Sequence, residues 1–212
     1  MVKRFQGFGF QLGEENDSLR REYTQAYHAC ISFIDAQIGL LLKSLERNGL
    51  QENTIVVLWS DHGWHLGEKN HWHKSTLWAE ATRIPFLIAA PGVTKDGTTC
   101  LRPVDTLSIY PTLLELCGLK PMPGLDGTSI VPLLKNPSAP WTIPAITEFQ
   151  RGQCAVRSER YRYIRYHDGT EELYDHAKDP EETKNVAKKF PHKTEAVLKR
   201  LRKSGIGKGV SK

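Results

Sequence analysis

The spacing of apolar positions changes along the chain, and each change predicts an element. From about Asp17, Tyr23, Tyr27, Ile31, Ile34, Ile38, Leu41 and Leu45 recur at three and four residues, the single stripe of an amphipathic helix. Asn48-Gly49 closes it with the left-handed cap that glycine favours. Thr54 to Trp59 is a short β-branched apolar run and predicts a buried strand. A polar loop follows at the strand's carboxyl end. Arg83 to Ala90 predicts a second buried strand, with Pro85 near its start and Pro91-Gly92 as its stop. Asp105 to Cys117 is helical, with Leu107, Tyr110, Leu114 and Cys117 on one face. An amphipathic helix followed at once by a strand is an α/β unit.

Pro121 to Pro140 is rich in turn residues and marks the best domain boundary. Beyond it polarity alternates over Cys154 to Arg157 and Tyr161 to Tyr166, Asp168-Gly169 signals a hairpin, and Glu172 to Asp175 begins a return strand. This predicts a small antiparallel sheet. Asp179 opens a last helical region, and a disordered tail is expected from Ser204. The expected division is residues 1–135 for the α/β part, 136–203 for the sheet and helix, and 204–212 for the tail.

Composition narrows the function classes. The chain has 212 residues with 39% hydrophobic content, enough for a globular core. Its net charge of +5 is mostly a tail effect, because residues 188–212 hold nine of the 29 basic residues and one acidic one. Residues 1–187 therefore carry 20 basic against 23 acidic residues, net −3, and no nucleic-acid partner is expected. No run is long enough for a membrane span, and the amino terminus has no signal-peptide pattern. The four cysteines form no C-x-x-C pair; Cys30 and Cys117 fall in apolar helical patterns and are expected to be buried thiols. Arg157, Arg160, Arg162 and Arg165 read as outward-facing strand residues, with an anion patch that a sulfated polymer could use as the alternative.

The candidate chemistry lies in the loop SDHGWHLGEKNHWHK, Ser60 to Lys74. Asp61, His62, His65, Glu68, His71, His73 and Lys74 are crowded into it, with Gly63 and Gly67 allowing tight turns. Asp61 and His62 could hold a divalent ion while Lys74 holds an anion. The histidines could instead bind zinc, the loop could be merely solvated, or Trp64 and Trp72 could stack sugars.

Several ordered motifs carry a resemblance that favours the first reading. Ser60 to Glu68, Trp72-His-Lys74, Ala81 to Ile88, Ala90-Pro-Gly92, Val104 to Leu119, Leu125 to Leu134, Val156 to Ile164 and Glu172 to Asp175 resemble the C-terminal part of a sulfatase. The likeness is to the iduronate-2-sulfatase and choline-sulfatase branch of the alkaline phosphatase superfamily. It implies an α/β, partial alkaline-phosphatase-like core followed by a small C-terminal antiparallel sheet with a terminal helix. It also implies calcium, or magnesium, on Asp61 and His62. Lys74 would contact the sulfate, with Trp72 and His73 as neighbours of a sulfated saccharide or other sulfate ester, and the family suggests a periplasmic or secreted location. The family's nucleophile is a formylglycine made within a C/S-x-P-x-R motif, and this sequence contains none. The expectation is a C-terminal fragment, inactive alone. A phosphomonoester or phosphodiester hydrolase of the same superfamily and a noncatalytic glycan-binding relic are the alternatives.

Overall fold

A computed structural model describes residues 17–150 and 152–190. Helix α1 spans Asp17–Arg47, and Gly49 beyond it adopts φ 62, so the predicted helix and its glycine stop are both present. Strand β1, Val56–Trp59, pairs antiparallel with β4, Phe86–Ala89, aligning Trp59 with Phe86. Between them lie two short strands, β2 (His65–Leu66) and β3 (Trp72–His73), and a single helical turn, α2 (Ala79–Thr82). A 3-10 turn at Thr106–Ser108 leads into α3, Ile109–Leu116, which packs on α4, Val131–Lys135.

The second layer is a four-stranded antiparallel meander. It comprises β5 (Ala145–Glu148), β6 (Cys154–Arg157), β7 (Tyr161–Arg165) and β8 (Glu171–Asp175), in that order. Its register aligns Val156, Tyr163 and Leu173 on one face, where they are buried with Ala187. Ala155, Ile164 and Tyr174 lie on the other face. There they enclose Leu77, 1% exposed, beside Trp78. Burying that leucine contributes about 1.5–3 kcal/mol. The chain just after Lys74 is thereby fixed to the sheet's second face.

Several expectations need correction. The apolar runs of β1 and β4 are not buried strands: the cross-strand partners Leu58 and Leu87 are exposed, and so is Trp59 on the opposite face of the two-stranded ribbon. The α1 stripe is likewise open at Ile31, Ile34 and Leu41. Cys30 and Cys117 are exposed as well. On α3 the buried side chain is Thr112, whose hydroxyl donates to the Ser108 carbonyl and accepts from the Ile130 amide at 3.0 Å, while Leu107 and Tyr110 are exposed. Arg162 does not face outward but is 5% exposed and ion-paired with Glu182. Asp179 opens a turn held by its carboxylate, which accepts from the Thr183 and Lys184 amides, and no helix begins there. The next helical turn is 3-10, Ala187–Lys189. The expected terminal helix and basic tail, like the loop over residues 1–16, otherwise lie outside the described residues. Strand β5 and the two-residue strands of the β2–β3 ladder were not expected from the sequence.

Candidate functional site

The loop leaves β1 at Ser60 and returns on itself through the β2–β3 ladder, which pairs His65 with His73. This doubling-back brings the two ends of the motif together. The Lys74 ammonium nitrogen lies 2.7 Å from Nε2 of His62, twelve residues earlier. Asp61 Oδ2 lies 3.4 Å from the same nitrogen. On the other side of the ring, Nδ1 lies 2.8 Å from the Gly63 carbonyl, which can only accept. Nδ1 therefore carries the proton and donates it to Gly63, leaving the Nε2 lone pair for Lys74 or for a metal.

The backbone around Lys74 is held in unusual conformations. His73 and Ser75 have φ of 79 and 76, left-handed values that side chains other than glycine rarely adopt. Such residues persist where surrounding contacts impose them. Here the contacts are visible: His71 Nε2 donates to the Lys74 carbonyl at 3.2 Å, and the Thr76 hydroxyl is 2.7 Å from Nε2 of buried His65. Burial, the largest influence on both, holds the His65 and His73 imidazoles below their ordinary values. For His73 the neighbouring Lys74 adds to it.

Gly63 does more than turn the chain. Its amide donates to the Ala81 carbonyl at 2.9 Å, and a Cβ there would collide with the Glu80 carbonyl and sit 2.8 Å from that of Arg83. A side chain is excluded by a close backbone approach. The glycine lacks the positive φ that Gly67 has, so its role was not visible in the sequence. Lys69, also missed, reaches out of the loop. Its ammonium donates to the Glu181 carbonyl at 2.6 Å and to Glu80 at 3.3 Å, and stands over the Trp78 ring.

The two tryptophans are packed against α1. Trp72 meets Tyr23 edge-on at 5.0 Å, and Trp64 lies between Tyr27 and His73, whose ring centroid is 4.4 Å away. The histidines do not converge. Among the described residues no three His, Cys, Asp or Glu side chains form a group that could hold a metal ion. Asp61 and His62 remain a pair of donors, a carboxylate oxygen beside an imidazole lone pair, which suits part of a divalent coordination shell. The described residues also contain no helix long and apolar enough to cross a membrane.

Comparison with known proteins identifies the family. A family model described as sulfatase matches residues 2–119, and one described as N-sulphoglucosamine sulphohydrolase, C-terminal, matches residues 67–206. A sulfatase of Formosa agariphila is 44% identical over 174 residues, covering 82% of this chain and 34% of that protein. Among solved structures, one of a protein in complex with its substrate D-glucosamine-2-N,6-O-disulfate superposes with a TM-score of 0.75 at 26% identity, covering 87% of this chain and 41% of the other. The phosphonate monoester hydrolase of Agrobacterium radiobacter gives 0.73 at 26%, covering 82% and 39%. The chain spans about a third of the length of the curated relatives it matches.

Proposed function

This chain belongs to the sulfatase family, and on that premise we propose that it supplies the cation-binding and anion-holding arm of a hydrolase acting on sulfate esters of a saccharide. Asp61 and His62 would hold calcium, with magnesium as the related choice, through hard oxygen and a nitrogen lone pair. When bound, such an ion stabilises negative charge on the sulfuryl oxygens. The chain's own residues do the rest. Gly63 keeps the His62 lone pair available by accepting the Nδ1 proton. Lys74 donates its ammonium protons to the sulfate, and one of them can follow the departing ester oxygen. Trp72 and His73, immediately before Lys74, are the proposed neighbours of the sugar.

No nucleophile is assigned to these residues, since a C/S-x-P-x-R motif does not occur in the sequence. Alone, the chain is expected to turn over no ester. The observation that carries the reading is the approach of Lys74 to His62 at 2.7 Å. It joins an ammonium to the nitrogen of a proposed metal ligand across a twelve-residue loop.

The test is a chimera in which this chain replaces the aligned segment of the Formosa agariphila sulfatase. Hydrolysis of an aryl sulfate is expected, falling about a hundredfold or more with Lys74→Ala. An inactive Asp61→Asn but an unimpaired Lys74→Ala would refute the role given to the lysine. The likeness to a phosphonate monoester hydrolase supports a second reading, which predicts faster cleavage of an aryl phosphonate than of the sulfate. A noncatalytic sugar-binding loop gains less support, as Trp64 and Trp72 already pack on Tyr27 and Tyr23.

A further inference from the structure

Glu182 is a buried carboxylate on a backbone with φ 55, a conformation unfavourable for a residue with a side chain. Both of its oxygens are engaged. One accepts from the Arg162 guanidinium and from His176 Nε2 at 2.7 Å; the other accepts from the Ala79 amide at 2.9 Å, 103 residues away in sequence. Arg162 in turn donates to the Leu77 carbonyl at 3.3 Å and the Thr82 hydroxyl at 2.9 Å. The pair thus holds both ends of residues 77–82, while Trp78 Nε1 donates to Glu172 at 2.8 Å.

That segment is where the two arms of the site meet. Its amino end continues from Lys74 through Thr76. Its carboxyl end accepts the Gly63 amide at Ala81, one residue from His62. Moving it relative to the sheet would move Lys74 and His62 by different amounts.

We propose that Glu182 is a positioning residue for the site: by holding Ala79 and Arg162, it fixes residues 77–82 and so the approach of Lys74 to His62. The proposal takes from the functional reading only which residues form the site. It requires neither metal nor ester.

The experiment is NMR of the whole chain labelled with nitrogen-15 in histidine, without added metal. In the unaltered chain His62 should show one tautomer, Nδ1 protonated, with Nε2 shifted by its bond from Lys74. Glu182→Ala is expected to replace that pattern with a tautomer average and to abolish the Nε2 response to Lys74→Ala. Glu182→Gln keeps an acceptor for Ala79 but loses the negative charge paired with Arg162, and should give an intermediate pattern. Val156→Ala, in the core on the opposite sheet face, controls for lost stability and should leave the His62 signals in place. Should Glu182→Ala fail to fold, Glu182→Gln decides: an intermediate pattern supports the proposal and an unchanged one overturns it. An unchanged His62 in folded Glu182→Ala, or an equal change in Val156→Ala, also overturns it. A calcium or chimera result that refutes the functional reading leaves this outcome standing, and the converse holds.

Discussion

Lys74 and His62 share a single hydrogen bond in which the ammonium occupies the lone pair that a metal ion would use. The two roles proposed for these residues therefore compete at one nitrogen until an anion draws the lysine away. An ammonium beside a cation site also repels the cation.

It follows that Lys74→Ala should tighten calcium binding to the chain. Losing a charge-assisted competitor of about 1.5 kcal/mol raises affinity about tenfold. Calorimetry should show this gain from a weak starting value, and Asp61→Asn should remove binding altogether. Unchanged affinity in Lys74→Ala would mean that the lysine does not hold the lone pair in solution.

Acid should destabilise the fold in two stages. Burial chiefly holds His65 below its ordinary value of 6.5, although Glu80 opposes it, so the unfolded chain binds the proton more readily. That contribution is fully present above pH 6.5 and is lost as pH falls through the lower folded value. Burial pushes Glu182 up, but His176, Arg162 and the Ala79 amide outweigh it, so its carboxyl lies below the ordinary 4.5 and its contribution is lost further down. Thermal midpoints measured from about pH 8 to about pH 3 should fall in both ranges. His65→Gln should diminish the upper fall alone, and a midpoint that rises between pH 7 and 5.5 would contradict the scheme.

The Lys69 side chain, unlike a solvated loop lysine, ties the loop to α2 at Glu80 and to the C-terminal part at the Glu181 carbonyl. Lys69→Ala removes two charge-assisted bonds at a site only 16% exposed and leaves Glu80 without its counter-charge. A loss of about 2 kcal/mol is expected in urea unfolding. A loss below a few tenths would place this lysine among ordinary surface ion pairs.

Gly63→Ala should be worse. Its added carbon meets two backbone carbonyls that cannot rotate aside, so the strand-to-loop junction must open. The expected cost is about 3 kcal/mol, with the His62 ring released from Lys74. Gly97→Ala is the comparison: unlike Gly63 it has a positive φ, and its Cβ would meet nothing within 4 Å. If Gly63→Ala costs no more than Gly97→Ala, the close approach is not what excludes a side chain at Gly63.

How much of this was legible beforehand depended on distance in sequence. Helix α1 and its stop at Gly49 rest on local spacing and one left-handed residue, and both were readable. The Asp61-His62 and Lys74 ends of the loop were readable as a motif. Their meeting was not, because it depends on a two-residue ladder at His65 and His73. Arg162 looked like any alternating strand charge, since its partner Glu182 follows a turn twenty residues later. Cys30 and Cys117 show the complementary error. A hydrophobic stripe says which face favours burial, but carries no information on whether another element covers it.

The bond between Ala79 and Glu182 also has a consequence in time. A ribosome adding about 5–20 residues per second needs roughly 5–20 s to go from the first of these residues to the second. For that interval the loop carrying Asp61, His62 and Lys74 exists without its clamp. The residues proposed to carry the chemistry are made early and put in place late, so a metal present during synthesis would meet the proposed pair of ligands before their clamp exists.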